Sequence, residues 1–119
     1  MIRIILTYLF LIVITSKISY SQGILWWFDT NDSSFGQSSA GDIDTDSIYE
    51  LVFGCYRNDS CVYALNAEDG SLLWKYNTSR KNTEGCNDVA SLIYDVDVDN
   101  SYEVIVPSSC NPTTFCFNG

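Results

Sequence analysis

Apolar and polar positions alternate in short runs along most of the chain, and turn-forming residues close each run. Beyond the first residues, no window holds apolar side chains at the three- and four-residue spacing of a helix. The runs predict strands at 23–29, 38–43, 49–55, 61–66, 72–77, 89–96, 102–106 and 115–117. Ala67-Glu68-Asp69-Gly70 is a tight turn between two of them, and 77–88 reads as a long polar connection. The chain is expected to be all-β.

These strands recur. Ile24-Leu25-Trp26-Trp27-Phe28 matches Leu72-Leu73-Trp74-Lys75-Tyr76 at an offset of 48 residues. Val62-Tyr63-Ala64-Leu65-Asn66 matches Thr114-Phe115-Cys116-Phe117-Asn118 at an offset of 52. A period near 50 with four strands per unit predicts β-propeller blades, each a four-stranded antiparallel meander. On this reading 22–30 is an outer closing strand, 37–78 a first blade and 89–119 a second, truncated blade. Propellers typically need 4–8 blades, so the expected assembly is an incomplete propeller, the N-terminal portion of a larger one.

The repeat also carries the candidate chemistry. Asp42-Ile43-Asp44-Thr45-Asp46-Ser47-Ile48-Tyr49-Glu50 sets carboxylates at positions 1, 3, 5 and 9 of a short loop. Asp95-Val96-Asp97-Val98-Asp99-Asn100-Ser101-Tyr102-Glu103 repeats the spacing 53 residues later. Alternating oxygen ligands in a tight loop suit a hard cation, and calcium takes 6–8 oxygens in irregular geometry. The expected ligands are Asp42, Asp44, Asp46, the carbonyl of Ile48 and Glu50 in the first loop. In the second they are Asp95, Asp97, Asp99, the carbonyl of Ser101 and Glu103. An EF-hand is excluded, because its twelfth position would hold Phe53 or Val106 and strands flank the loop. The competing reading is a solvated acidic turn.

Composition narrows the setting. Arg3 followed by the apolar run 4–14 and by Ser19-Tyr20-Ser21 predicts a signal peptide over 1–21, cleaved after Ser21. The apolar run is shorter than the ~20 residues that a membrane span needs. Removing it leaves 4 basic against 15 acidic side chains, a net charge of −11. No basic footprint is left for nucleic acid or an anionic membrane surface. An exported chain with Cys55, Cys61, Cys86, Cys110 and Cys116 points to disulfides. The spacing allows Cys55–Cys61, Cys110–Cys116 or Cys86–Cys110, and one thiol is left over. With no histidine and no Cys-x-x-Cys pair, zinc is not expected. Asn31, Asn58 and Asn77 open glycosylation triplets.

The Asp-x-Asp-x-Asp-x-x-x-Glu pattern between two strands resembles the FG-GAP or VCBS-type propeller repeat of integrin α-chain heads and bacterial surface proteins. The stretch from Ala64 to Trp74 is similar to the tryptophan-docking motif of quinoprotein-like propellers. Together the resemblances cover nearly all of 23–119. They imply calcium in the loop joining a blade's first two strands. That family usually has glycine at loop positions 4 and 6, where this chain has Thr45 and Ser47, then Val98 and Asn100. Trp26, Trp74, Tyr63 and Phe115 are expected to pack between blades rather than to stack on sugar.

The expected function is an exported, calcium-stabilised propeller module for binding, adhesion or scaffolding, with a protein or carbohydrate ligand unspecified. The alternative is a quinoprotein-type dehydrogenase, or a propeller-borne polysaccharide lyase or lectin, whose active residues lie elsewhere. No nucleophile–base pair stands in the sequence, and without histidine the commonest general base is missing.

Overall fold

A computed structural model describes residues 22–34, 36–80 and 83–119. The expected signal peptide over 1–21 lies outside the described residues. The described chain is all-β: β1 (Ser39–Gly41), β2 (Glu50–Gly54), β3 (Cys61–Asn66), β4 (Leu72–Asn77), β5 (Leu92–Tyr94), β6 (Glu103–Pro107) and β7 (Thr114–Asn118). They form two antiparallel sheets, four-stranded in the order β1-β2-β3-β4 and three-stranded in the order β5-β6-β7. Among the described residues no helix is long and apolar enough to cross a membrane.

The registers preserve the sequence repeat. Val52 faces Ala64 in the first sheet, and Ile105 faces Cys116 in the second. Because side chains alternate across a strand, Val52, Val62 and Ala64 share one face of the first sheet. Phe53, Tyr63 and Cys61 share the other. The first of these faces packs against Val104 and Val106 of the second sheet, with Ile43 completing the buried cluster. Leu73, Trp74, Ile93 and Phe117 close it from the sides. The inner strands β1 and β5 lie side by side, tied by Ser39 Oγ donating to the Ser91 carbonyl at 2.6 Å.

The opposite face of the first sheet is covered by the N-terminal segment. Phe28 meets Tyr63 edge-on at 5.3 Å. The Trp26 indole N–H donates to the Ala67 carbonyl at 2.9 Å. Its ring lies over Gly70, whose φ is +73° and where a Cβ would meet the ring at 2.5 Å. Residues 22–30, expected to be a strand, have no ladder partner among the described residues. A strand exists only where another backbone answers its N–H and C=O groups, and here side chains alone hold the segment.

Two further expectations change. The polar connection 77–88 folds inward: Thr78, Cys86 and Asn87 are fully buried. Asn87 donates its amide N–H to the Cys55 carbonyl at 3.1 Å and its side-chain NH₂ to Thr78 Oγ1 at 2.7 Å. Thr78 Oγ1 passes the chain on to the Ser60 carbonyl at 2.8 Å. The Thr78 hydroxyl and the Asn87 NH₂ can be buried here because they are bonded, while Asn87 Oδ1 has no partner among the described residues. Among the cysteines, Cys86 and Cys110 form the disulfide, with Cα atoms 5.1 Å apart, tying this inward connection to the β6–β7 turn. Cys55, Cys61 and Cys116 are free thiols, so neither the Cys55–Cys61 nor the Cys110–Cys116 pairing is made.

Candidate metal-binding loops

Both acidic loops join the first two strands of their sheets, β1 to β2 and β5 to β6. Each is built the same way. Position 1 reaches across the loop: Asp42 Oδ2 accepts the Ser47 N–H at 3.1 Å, and Asp95 Oδ2 accepts that of Asn100 at 3.1 Å. Position 5 caps its own turn: Asp46 Oδ1 accepts the Ile48 N–H at 2.7 Å, and Asp99 Oδ1 that of Ser101 at 2.8 Å. Position 9 lies at the start of the following strand and points inward. Glu50 is fully buried and Glu103 is 5% exposed. Their Oε2 atoms accept the N–H of Ile43 and of Val96, each at 2.8 Å.

The backbone turns left-handed where the sequence lacks glycine. Thr45 and Ser47 have φ of 64° and 74°, and Val98 and Asn100 have φ of 65° and 73°. Asn accepts this region readily, whereas a β-branched residue is strained there by roughly 1–3 kcal/mol. The Asp side chains that accept N–H groups across the loop hold it in that shape.

The carboxylates converge. Ligand-capable oxygens of Asp42, Asp44 and Glu50 lie within 4.8 Å of one another, as do those of Asp95, Asp97 and Asp99. Asp46 and Glu103 stand outside these two groups, each turned to a backbone N–H. The expected carbonyl ligands, on Ile48 and Ser101, belong to residues whose N–H groups the position-5 aspartates hold. Asp42 Oδ1, Glu50 Oε1 and Glu103 Oε1 are buried and have no hydrogen-bond partner among the described residues. Burial drives the Glu50 carboxyl above the ordinary glutamate range. The Ile43 N–H opposes that rise, and the charges of Asp44 and Asp46 add to it.

The aromatic residues divide. Tyr63 and Phe115 are buried, Trp26 and Trp74 partly so, all in packing roles. Beside Asp42 lies a cleft of about 610 Å³ lined by Tyr49, Ile93, Tyr94 and Tyr102. The sequence reading did not single out these tyrosines. The Tyr-Glu ending common to both loops was the available signal for two of them. No family model, no curated protein and no solved structure matches the chain.

Proposed function

We propose that this chain is a calcium-binding β-propeller repeat module of the FG-GAP or VCBS type, exported and used in binding, adhesion or scaffolding. The observation that carries the metal is the pair of glutamates, Glu50 and Glu103. Each is buried and bonded through one oxygen only, with the other oxygen unanswered among the described residues; Glu50 groups with Asp42 and Asp44, whereas Glu103 stands outside the group of Asp95, Asp97 and Asp99. A buried carboxylate oxygen with no donor is costly. A hard cation answers it and the neighbouring aspartates together. The left-handed φ at loop positions 4 and 6 of both repeats supports the same template, since that is where the resembled family has glycine.

The propeller reading is supported by two sheets whose inner strands lie side by side and whose strands run outward in chain order. The metal is structural in this scheme. It neutralises the loop and fixes the register of the flanking strands. Thermal melting in calcium and then in excess chelator tests it: calcium raises Tm, and Glu50→Gln with Glu103→Gln removes the rise. An unchanged Tm in wild-type protein rejects the metal site.

A further inference from the structure

Cys55 and Cys61 face each other where the β2–β3 hairpin enters its turn. The register that pairs Phe53 with Tyr63 and Gly54 with Val62 runs on to them, and the Cys55 N–H donates to the Cys61 carbonyl at 2.9 Å. Side chains two residues apart on a strand share a face. Both thiols therefore lie with Phe53 and Tyr63, in one buried cluster. Opposed residues of a hydrogen-bonded antiparallel pair have Cα atoms about 5.5 Å apart. That is inside the roughly 4.4–6.8 Å that a disulfide spans. The return bond of a regular ladder is not made: the Cys61 N–H turns to Asp59 Oδ1 at 3.1 Å, and the Cys55 carbonyl takes the Asn87 N–H. The spacing of the pair is thus set from one side only. The structure holds both residues as thiols.

Segment 22–30 is a strap over this pair. Phe28 packs on the cluster, edge-on to Tyr63 at 5.3 Å, and the Thr30 side chain lies beside the Cys55 sulfur. The strap is pinned at two hydrogen bonds. The Trp26 indole N–H donates to the Ala67 carbonyl, and the Asn31 N–H donates to Asp59 Oδ2 at 2.9 Å. Asp59 is the common anchor, since it also accepts the Tyr63 hydroxyl at 2.7 Å and the Cys61 N–H. Under the strap the thiols are unreactive, because the thiolate is the nucleophile. Burial, aided by Asp59, pushes the Cys61 thiol up to about 11. Burial raises Cys55 too, with Thr30 opposing it.

We propose that Cys55 and Cys61 are a redox modification site, a dithiol that low-molecular-weight disulfides such as glutathione disulfide oxidise when the strap lifts. The Cys61 S–H is engaged by the Asp59 carbonyl at 3.1 Å, so Cys55 reacts first. Its thiolate attacks one sulfur of the oxidant, breaks the S–S bond and releases one small thiolate. The Cys61 thiolate then attacks the Cys55 sulfur of the mixed disulfide and expels the second. The two protons lost by the cysteines end on the two small thiols. Two cysteines are oxidised and one disulfide is reduced. The product closes the turn 56–60 with a covalent bond in the first sheet, apart from the Cys86–Cys110 bridge. No step involves the acidic loops, so the site stands whether or not they hold a metal.

The test adds glutathione disulfide to purified protein carrying Cys116→Ser, which removes the exposed thiol. Remaining thiols are alkylated at intervals and the peptides mapped. Cys55 and Cys61 should disappear together and return as one cross-linked peptide, with Cys86–Cys110 unchanged. Trp26→Phe, which takes away the bond to Ala67, should speed the conversion about fivefold. Lifting a strap exposes little surface, so the rate should vary only weakly with urea below the unfolding transition. In Cys55→Ser no cross-link should form, and Cys61 should carry a glutathione adduct at most. Adducts that never close, or a cross-link to Cys86 or Cys110, overturn the proposal. A rate that follows the full urea slope of unfolding overturns it too, as does a Trp26→Phe rate equal to the parent's.

Discussion

The first and second sheets carry acidic loops of the same carboxylate spacing, yet they are held at their margins by different means. In the loops, Thr-Ser and Val-Asn reach the same left-handed turns, and both glutamates make the same single bond to a backbone N–H. What the two loops share is the carboxylate spacing, so that spacing, and not glycine, sets their shape. The margins have no such common element. The first sheet is covered on one face by Trp26 and Phe28, with Asp59 fastening the segment through the Asn31 N–H at 2.9 Å. The second has no such segment on its other face among the described residues and is stapled by Cys86–Cys110. One margin depends on side-chain packing and a carboxylate; the other depends on a covalent bond.

Breaking the staple should have the largest effect. The bridge closes a loop with a sequence separation of 24 residues, which chain entropy values at about 3 kcal/mol. Cys86→Ser with Cys110→Ser should lower stability by that amount in chemical denaturation. It should open the second sheet first, with the amides of β6 and β7 losing hydrogen-exchange protection before those of β2 and β3.

The two matched tryptophans sharpen the comparison at smaller scale. Trp26→Phe deletes a hydrogen bond to Ala67 and should cost about 1 kcal/mol. Trp74→Phe deletes a buried N–H that has no acceptor among the described residues, and should be neutral or mildly stabilising. Equal losses in paired melts would mean that the two sites are alike after all.

The smallest effect expected is on pH. Burial raises the Asp59 carboxyl, but bonds from the Tyr63 hydroxyl, the Asn31 N–H and Cys61 outweigh it and hold the group below its ordinary 3.8. The unfolded chain therefore takes up the proton first as pH falls. The stability due to Asp59 is present above 3.8 and is lost as pH drops through the lower folded value. Tryptophan emission should report acid release of segment 22–30 in that window, and Asp59→Asn should lack the transition. The disulfide margin should not respond.

Much of this was legible in the chain. Seven strands fell where β-branched and aromatic runs end in turns, because a pleated, half-buried surface selects those residues locally. The loops were legible because ligand spacing is a local property. Other features were not. Thr78 and Asn87 read as solvent-facing, since only the fold brings Ser60 and Cys55 within reach to satisfy them. The grouping of Asp42, Asp44 and Glu50 without Asp46 depends on which oxygen each backbone N–H claims. The disulfide had three pairings consistent with spacing, and the choice of Cys86–Cys110 came from where the inward connection crosses the β6–β7 turn.

By itself, then, the sequence determined the strands, their repeat and the two nine-residue loops, all of which follow from neighbours along the chain. Tertiary structure alone decided which carboxylates are buried and which thiols meet. Those depend on the distance between residues far apart in sequence. Segment 22–30 shows the boundary between the two: its residues favour a strand, but a strand needs a second backbone beside it.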